Sequence, residues 1–332
     1  MLIRNAITLK NMRKFSKCFI TGITGSGGSY LAEKIFEEFP KIKIIGSYRF
    51  DGYKRLLQKK IKKIKLIKLD LQNYKKTRYF LNKIKPDVIF HFASNADVRA
   101  SFDNPINFSN NNNSITINLL EAVRRLTINP VIIIVSSSEV YGNVSKKDIP
   151  LKENQRFNPA SPYAATKAFQ DFISQIYYKS FGLRIIITRM FSYTNARRSN
   201  LFQTAFAKQI ISIEKGKQKI LTHGNLNSVR TFIDIDDAMN AYWLAATKGK
   251  IGEIYNIGGS KIISVKNFLN KLITRSRVKI LTKTNPALLR PNDVTLQIAD
   301  SKKFKLHTGW REKIKFEDSV DKFINECRKL YN

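Results

Sequence analysis

The sequence of 332 residues predicts an α/β protein built on a doubly wound parallel sheet, with a smaller lobe towards its C-terminus. Two observations predict this class. Strand-sized apolar runs alternate with helical patterns through the first two-thirds of the chain. A glycine-rich stretch, Thr21-Gly22-Ile23-Thr24-Gly25-Ser26-Gly27-Gly28, falls between the first such run and the first helical pattern.

In chain order, strands are expected at 17–22, 42–47, 64–69, 87–92, 130–136 and 183–190, and helices at 27–39, 73–84, 105–128 and 161–181. Runs such as Val131-Ile132-Ile133-Ile134-Val135 suit a sheet covered by helices on both faces. Pro86 and Pro130 each precede an apolar run, a place where a missing N–H starts a strand without breaking its ladder. Beyond residue 190 the rhythm loosens. A helix at 201–214, a short strand, a polar loop at 222–228, a helix at 235–247 and a last helix at 317–330 are expected there. Residues 1–16 read as a basic extension, 17–190 as the sheet domain, and 191–332 as a lobe that interleaves with it and closes over a cleft.

Composition bounds the function. The longest apolar runs are far short of a membrane span, and the first fourteen residues carry no uninterrupted apolar region of the signal-peptide kind. Cys18 and Cys327 are too few for a disulfide framework or a metal cluster, and His91, His223 and His307 show no metal-ligand spacing. No metal is expected, and a reducing, cytoplasmic compartment fits best. The net charge of +34 invites a nucleic-acid reading. It comes mostly from Lys spread along the chain, without zinc-finger spacing or an aromatic RNA-binding signature, and abundant Lys, Ile, Asn and Phe point instead to AT-rich codons. A basic surface still attracts anionic ligands such as nucleotides.

The glycine turn favours a dinucleotide. Gly22, Gly25 and Gly28 let backbone approach a pyrophosphate at a helix N-terminus, where amide donors and the dipole favour negative charge. Residues 17–190 are therefore expected to form an NAD(P)-binding Rossmann domain. At the end of the second strand, Tyr48 stands where an NAD enzyme usually carries an acid, and Arg49 follows. NADP is the expected cofactor, with NAD the alternative because Asp51 lies close by. Asp70, ending the third strand, either binds the adenine amino group or caps the next helix.

Tyr163 and Lys167 are one helical turn apart and share a face. A neighbouring ammonium is expected to stabilise the phenolate and lower the tyrosine towards neutrality. Tyr163 could then move a proton on a sugar hydroxyl during hydride transfer, with Ser137 at the end of the fifth strand sharing it. Glu139 follows in Ser136-Ser137-Ser138-Glu139, either as a catalytic acid/base or as a residue that orients a loop. Arg230 and Arg290 offer guanidinium forks for a diphosphate or ribose, or pair with surface acids. Trp243 and Trp310 read as packing residues.

From about residue 17 to 325, these segments resemble the extended short-chain dehydrogenases/reductases, the NAD-dependent epimerase/dehydratase group acting on nucleotide sugars. The likeness is greatest to the GDP-mannose 4,6-dehydratase branch. It rests on Ile20 to Gly25, Gly28 to Glu33, Ser101-Phe102 with Pro105, Ser136 to Gly142, Ser161-Pro162-Tyr163, Arg197-Arg198, Gly224-Asn225-Leu226 and Arg290-Pro291. The resemblance implies Ser137, Glu139, Tyr163 and Lys167 as the active-site set. It also implies a homo-oligomer, dimer or tetramer, acting on a nucleotide sugar such as GDP-mannose. The Arg197-Arg198 pair would either reach the cofactor phosphate of a neighbouring subunit or stand in solvent.

Three positions depart from the group's pattern. Ser192 replaces an Asn, Thr231 replaces an Asp, and Phe50 stands where a second basic residue is usual. Ser192 is expected to face substrate. The stretches Phe206 to Ile210 and Arg290 to Asp293 look equally like GDP-4-keto-6-deoxymannose reductases, so a reductase, or a 4-epimerase on the same fold, is the alternative to a dehydratase. A non-enzymatic nucleotide-binding protein is the remaining one.

Overall fold

The computed structural model describes residues 12–61, 63–289 and 292–331. The six strands expected first are β1 (Lys17–Thr21), β2 (Lys43–Tyr48), β3 (Lys65–Lys68), β4 (Val88–His91), β5 (Val131–Ser137) and β6 (Ile185–Met190). Later come β7 (Ser192–Tyr193), β8 (Ile220–His223), β9 (Val229–Ile233), β10 (Ile254–Ile257), β11 (Lys261–Ser264), β12 (Leu281–Thr284) and β13 (Leu296–Gln297). One parallel sheet of seven strands runs in the order β10-β6-β5-β4-β1-β2-β3. The strand order reverses between β1 and β4, so the crevice where ligands bind to such sheets opens at the carboxyl end of β1.

Alternate residues of the same strands feed two cores, because side chains of a strand point to opposite faces. Cys18, Ile20, Phe90 and Ile133 pack on one side with helices Ser26–Glu38 and Ile235–Lys248. Phe19, Ile89, Ile132 and Ile134 pack on the other with helices Tyr74–Ile84, Pro105–Arg124 and Pro162–Phe181. Trp243 and Trp310 are both buried in the first core, Trp243 with its ring 4.6 Å from that of Phe39.

The helix Pro162–Phe181 has local reasons for its ends. The Ser161 hydroxyl accepts from the Ala164 N–H at 3.1 Å, Pro162 occupies the first turn, and Gly182 stops the helix in the left-handed conformation.

The region beyond residue 190 gives the seventh strand of the large sheet and a second sheet, in which β9 pairs with β7, β11 and β13. Helices Phe202–Glu214, Val265–Ile273 and Phe316–Tyr331 cover it through a third core around Phe232 and Phe268. Strands β9 to β13 are two to five residues long, too short to show a period in the sequence. Among the described residues no helix is long and apolar enough to cross a membrane, and no three metal-ligating side chains gather.

Candidate active site

A cleft runs along the carboxyl ends of the strands, lined on one side by Gly22, Gly25, Arg49, Asp70 and Asn111 and on the other by Ser137, Glu139, Tyr163, Lys167, Ser192 and Arg230. Eleven of the twelve residues anticipated from the sequence as site residues are among those described; Arg290 lies outside them.

The turn after β1 is bare backbone. Gly22 has φ +65°, and a Cβ there would meet Ala93 Cα at 2.8 Å. At Gly28 a Cβ would meet the Gly22 carbonyl oxygen at 2.6 Å. The helix Ser26–Glu38 begins directly behind, with no acidic residue in its first turn, so no carboxylate of that turn competes with an anionic ligand for its N–H groups. This cradle fits a pyrophosphate. Farther along, the Arg49 guanidinium donates to Asn111 Oδ1 at 2.7 Å and Asn95 Oδ1 at 3.3 Å and stands 3.8 Å from Asp70. Asp70 accepts from the Gln72 N–H at 2.9 Å, so it serves the turn while lining the cleft.

Tyr163 and Lys167 are both buried, one turn apart, with Lys167 Nζ 5.8 Å from the Tyr163 ring centre. Lys167 Nζ donates to the Val135 carbonyl at 2.9 Å. Burial pushes the lysine down to about 7, and the positive charge of Arg198 acts in the same direction. The tyrosine moves opposite to expectation. Burial drives the phenol up and Glu139 adds to the rise, while Arg198 and the neighbouring Ser137 hydroxyl pull it down. Desolvation of the phenolate outweighs the neighbouring charge, and the cation that counts is Arg198, which donates to the Ala96 carbonyl across the cleft.

The Ser137 hydroxyl oxygen accepts from the Glu139 N–H at 3.2 Å, capping the short helix Ser138–Tyr141. One acceptor site of the hydroxyl is thereby used, and its proton remains available to a cleft oxygen. Glu139 Oε1 accepts from Gln297 Nε2 at 2.9 Å and lies 3.6 Å from Arg230 Nη1. The sequence offered Arg230 either a ligand or an acid; the structure places it in the cleft wall and beside an acid at once. Ser192 on β7 lies opposite Phe232 of β9 and lines the same wall.

Several contributors escaped the sequence reading. Asp171, four residues beyond Lys167, accepts from the Ser136 hydroxyl at 3.0 Å and forms a two-pronged pair with Arg189 at 2.9 and 3.0 Å. Arg189 also donates to the Tyr141 hydroxyl at 2.8 Å, and Tyr141 donates to Asn256 at 2.6 Å. This network holds β5 and the segment after it from behind. The four-residue spacing of Tyr163, Lys167 and Asp171 was its available signal. Asn112 Nδ2 donates to Thr166 Oγ1 at 2.9 Å and so braces the residue beside Lys167. Gln297 had no signal at all.

Arg197 is neither solvated nor in the cleft. It is buried between Glu33 at 2.8 Å and the ring of Tyr30, whose centre is 3.8 Å away, tying the glycine-turn helix to the loop after β7. His91 is a core residue, pushed down to about 3 by burial and bridging Thr21 and Thr116 at 2.9 and 3.1 Å.

Comparison with known proteins agrees with this architecture. A family model described as GDP-mannose 4,6 dehydratase matches residues 19–323. A protein of Methanocaldococcus jannaschii described as uncharacterized is 28% identical over 323 residues, 94% of this chain and 96% of that one. The GDP-mannose 4,6-dehydratase of Vibrio cholerae is 26% identical over 344 residues, 92% of this chain and 91% of its own. Among solved structures, UDP-glucuronic acid 4-epimerase from Bacillus cereus, in complex with UDP-glucuronic acid and NAD, superposes with a TM-score of 0.83. It is 26% identical and covers 95% of this chain and 100% of its own.

Proposed function

The chain belongs to the GDP-mannose 4,6 dehydratase family of extended short-chain dehydrogenases/reductases, and from that premise we propose that it converts a nucleotide-diphosphate hexose, GDP-mannose first among candidates, to the 4-keto-6-deoxy sugar with NADP as recycled cofactor. The observation that carries this reading is Glu139. A carboxylate stands in the same cleft as Ser137, Tyr163 and Lys167, and hydride transfer alone has no need of it.

The bare glycine turn suits the pyrophosphate of a nicotinamide dinucleotide, and Arg49 suits the extra phosphate of NADP. A nicotinamide held there would supply the hydride chemistry, as acceptor and then donor of one hydride. Tyr163 accepts the proton of the C4 hydroxyl as the phenolate that Arg198 and Ser137 favour against burial, with Ser137 donating to the same substrate oxygen. Lys167 orients the tyrosine through its own anchor on Val135. The C4 ketone acidifies the C5 proton, which Glu139 removes before protonating the departing C6 hydroxyl as water. C6 gains the hydrogen that left C4, and C5 regains a proton equivalent to the one Tyr163 accepted, so the sum is loss of one water with no net oxidation. Arg230 and Ser192 form the wall against which the sugar nucleotide lies, and Arg290 is proposed for the diphosphate.

A second reading, a nucleotide-sugar 4-epimerase, is favoured by the likeness to the Bacillus cereus enzyme. Incubating the purified protein with GDP-mannose and no added reductant separates them. Formation of a 4-keto-6-deoxy product supports the dehydratase. A C4 epimer without water loss would replace it. Consumption of NADPH only when the 4-keto-6-deoxy sugar is supplied would indicate a reductase.

A further inference from the structure

Glu139 comes from the end of the large sheet, whereas its two partners come from the second sheet, where Gln297 of β13 lies directly opposite Arg230 of β9. The Gln297 carboxamide is almost fully buried, and both its ends are engaged: Nε2 donates to Glu139 Oε1 at 2.9 Å, and Oε1 accepts from Arg230 Nη1. The amide orientation follows from these partners, since only the oxygen can face a guanidinium and only the nitrogen a carboxylate. Arg230 Nη1 stays 3.6 Å from Glu139 Oε1, longer than a charge-assisted hydrogen bond of about 2.7–2.9 Å.

That spacing matters to a carboxylate that must take up and release a proton. Direct contact with a guanidinium holds a carboxylate ionised and makes it a weak base. A neutral carboxamide fixes the direction of Oε1 while keeping the full charge at one remove. We propose that Gln297 is a positioning residue that spaces Glu139 from Arg230, so that the carboxylate is oriented across the two sheets yet remains able to exchange a proton with substrate. Among the described residues, Arg230 from β9 and Tyr163 from the helix Pro162–Phe181 interact with Glu139, and Lys167 of the same helix, Tyr193 of β7, Arg198 and Tyr242 line the same cleft. The catalytic consequence rests on the dehydratase reading; the placement of Glu139 does not.

The test follows the Glu139 carboxyl carbon by NMR in protein labelled with [5-13C]glutamate, with Glu139→Gln identifying the signal. In Gln297→Leu the carboxylate closes on Arg230 and its titration midpoint falls by about one pH unit, a tenfold change in acidity. Gln297→Met makes the same deletion with a flexible side chain, should the leucine variant fail to fold. An unchanged or raised midpoint in the folded variant overturns the proposal. So does a fall that persists in Gln297→Leu/Arg230→Gln, because Arg230 would not then be its cause. With GDP-mannose, Gln297→Leu should lose on the order of tenfold or more in kcat with KM nearly unchanged, and its acid limb should move to lower pH. A wild-type protein that leaves both GDP-mannose and the 4-keto-6-deoxy sugar untouched would sink the dehydratase reading, and the carboxyl titration would still decide the role of Gln297.

Discussion

Lys167 donates to the carbonyl of Val135 at 2.9 Å, which pins the helix carrying Tyr163 to the strand that ends in Ser137. The anchor is a backbone atom, and the bond from Ser136 to Asp171 at 3.0 Å ties the same strand and helix one turn farther on. It also places an ammonium where burial lowers its proton affinity.

Stability should therefore respond to pH through Lys167. Its folded value of about 7 lies below the unfolded value of roughly 10.4, so between them the unfolded chain binds more protons. Stability rises with pH across that window and is lowest, as far as this group is concerned, below pH 7. Lys167→Met should remove the rise. Urea unfolding of both proteins at several pH values in this window tests it; parallel curves would refute the buried-lysine account.

Tyr163→Phe and Glu139→Gln should separate the two halves of the proposed reaction. Each should lower turnover of GDP-mannose by about 10²- to 10⁴-fold while leaving nicotinamide nucleotide binding intact. Glu139→Gln should retain exchange of the C4 hydrogen with the cofactor, whereas Tyr163→Phe should lose it. Isotope transfer from C4-deuterated sugar distinguishes the two, and full dehydration by Glu139→Gln would remove Glu139 from the mechanism.

Cofactor choice should turn on Arg49. Its fork is aimed into the cleft by Asn111 and Asn95, and Tyr48 precedes it at the end of β2. Arg49→Ala should weaken NADPH binding on the order of tenfold or more, equivalent to about 1.4 kcal/mol, with little change for NADH. Fluorescence titration with both nucleotides measures this. Equal losses for the two would show that Arg49 serves the fold through its asparagine partners instead.

The Asp171–Arg189 pair should behave as a buried ion pair behind the site. Both side chains are almost fully enclosed. Asp171→Ala leaves the guanidinium uncompensated and should cost about 3–5 kcal/mol in denaturant unfolding. Asp171→Leu combined with Arg189→Met should recover most of it. A single variant as stable as wild type would mean that Tyr141 and the Glu153 carbonyl suffice for Arg189.

Much of the large sheet was legible because its strands are long apolar runs between helices, and β1 to β6 fall within two residues of their expected positions. The short strands of the second sheet were not, since two to five residues carry no period and their pairing joins segments far apart in the chain, as with Arg230 and Gln297. Tyr163 and Lys167 were legible because helix geometry alone puts them on one face. The direction in which burial moves them was not, because desolvation depends on what the rest of the chain packs around them.

The sequence by itself determined the class of sheet, the glycine turn and the residue types that enter the cleft, all of which follow from local pattern and short-range spacing. Tertiary structure alone decided who faces whom. It joined Arg197 to Glu33, set Asp171 behind Ser136, and brought Gln297 between Glu139 and Arg230. Hydrogen bonds and charges act over a few ångströms of space, and no distance along the chain measures that.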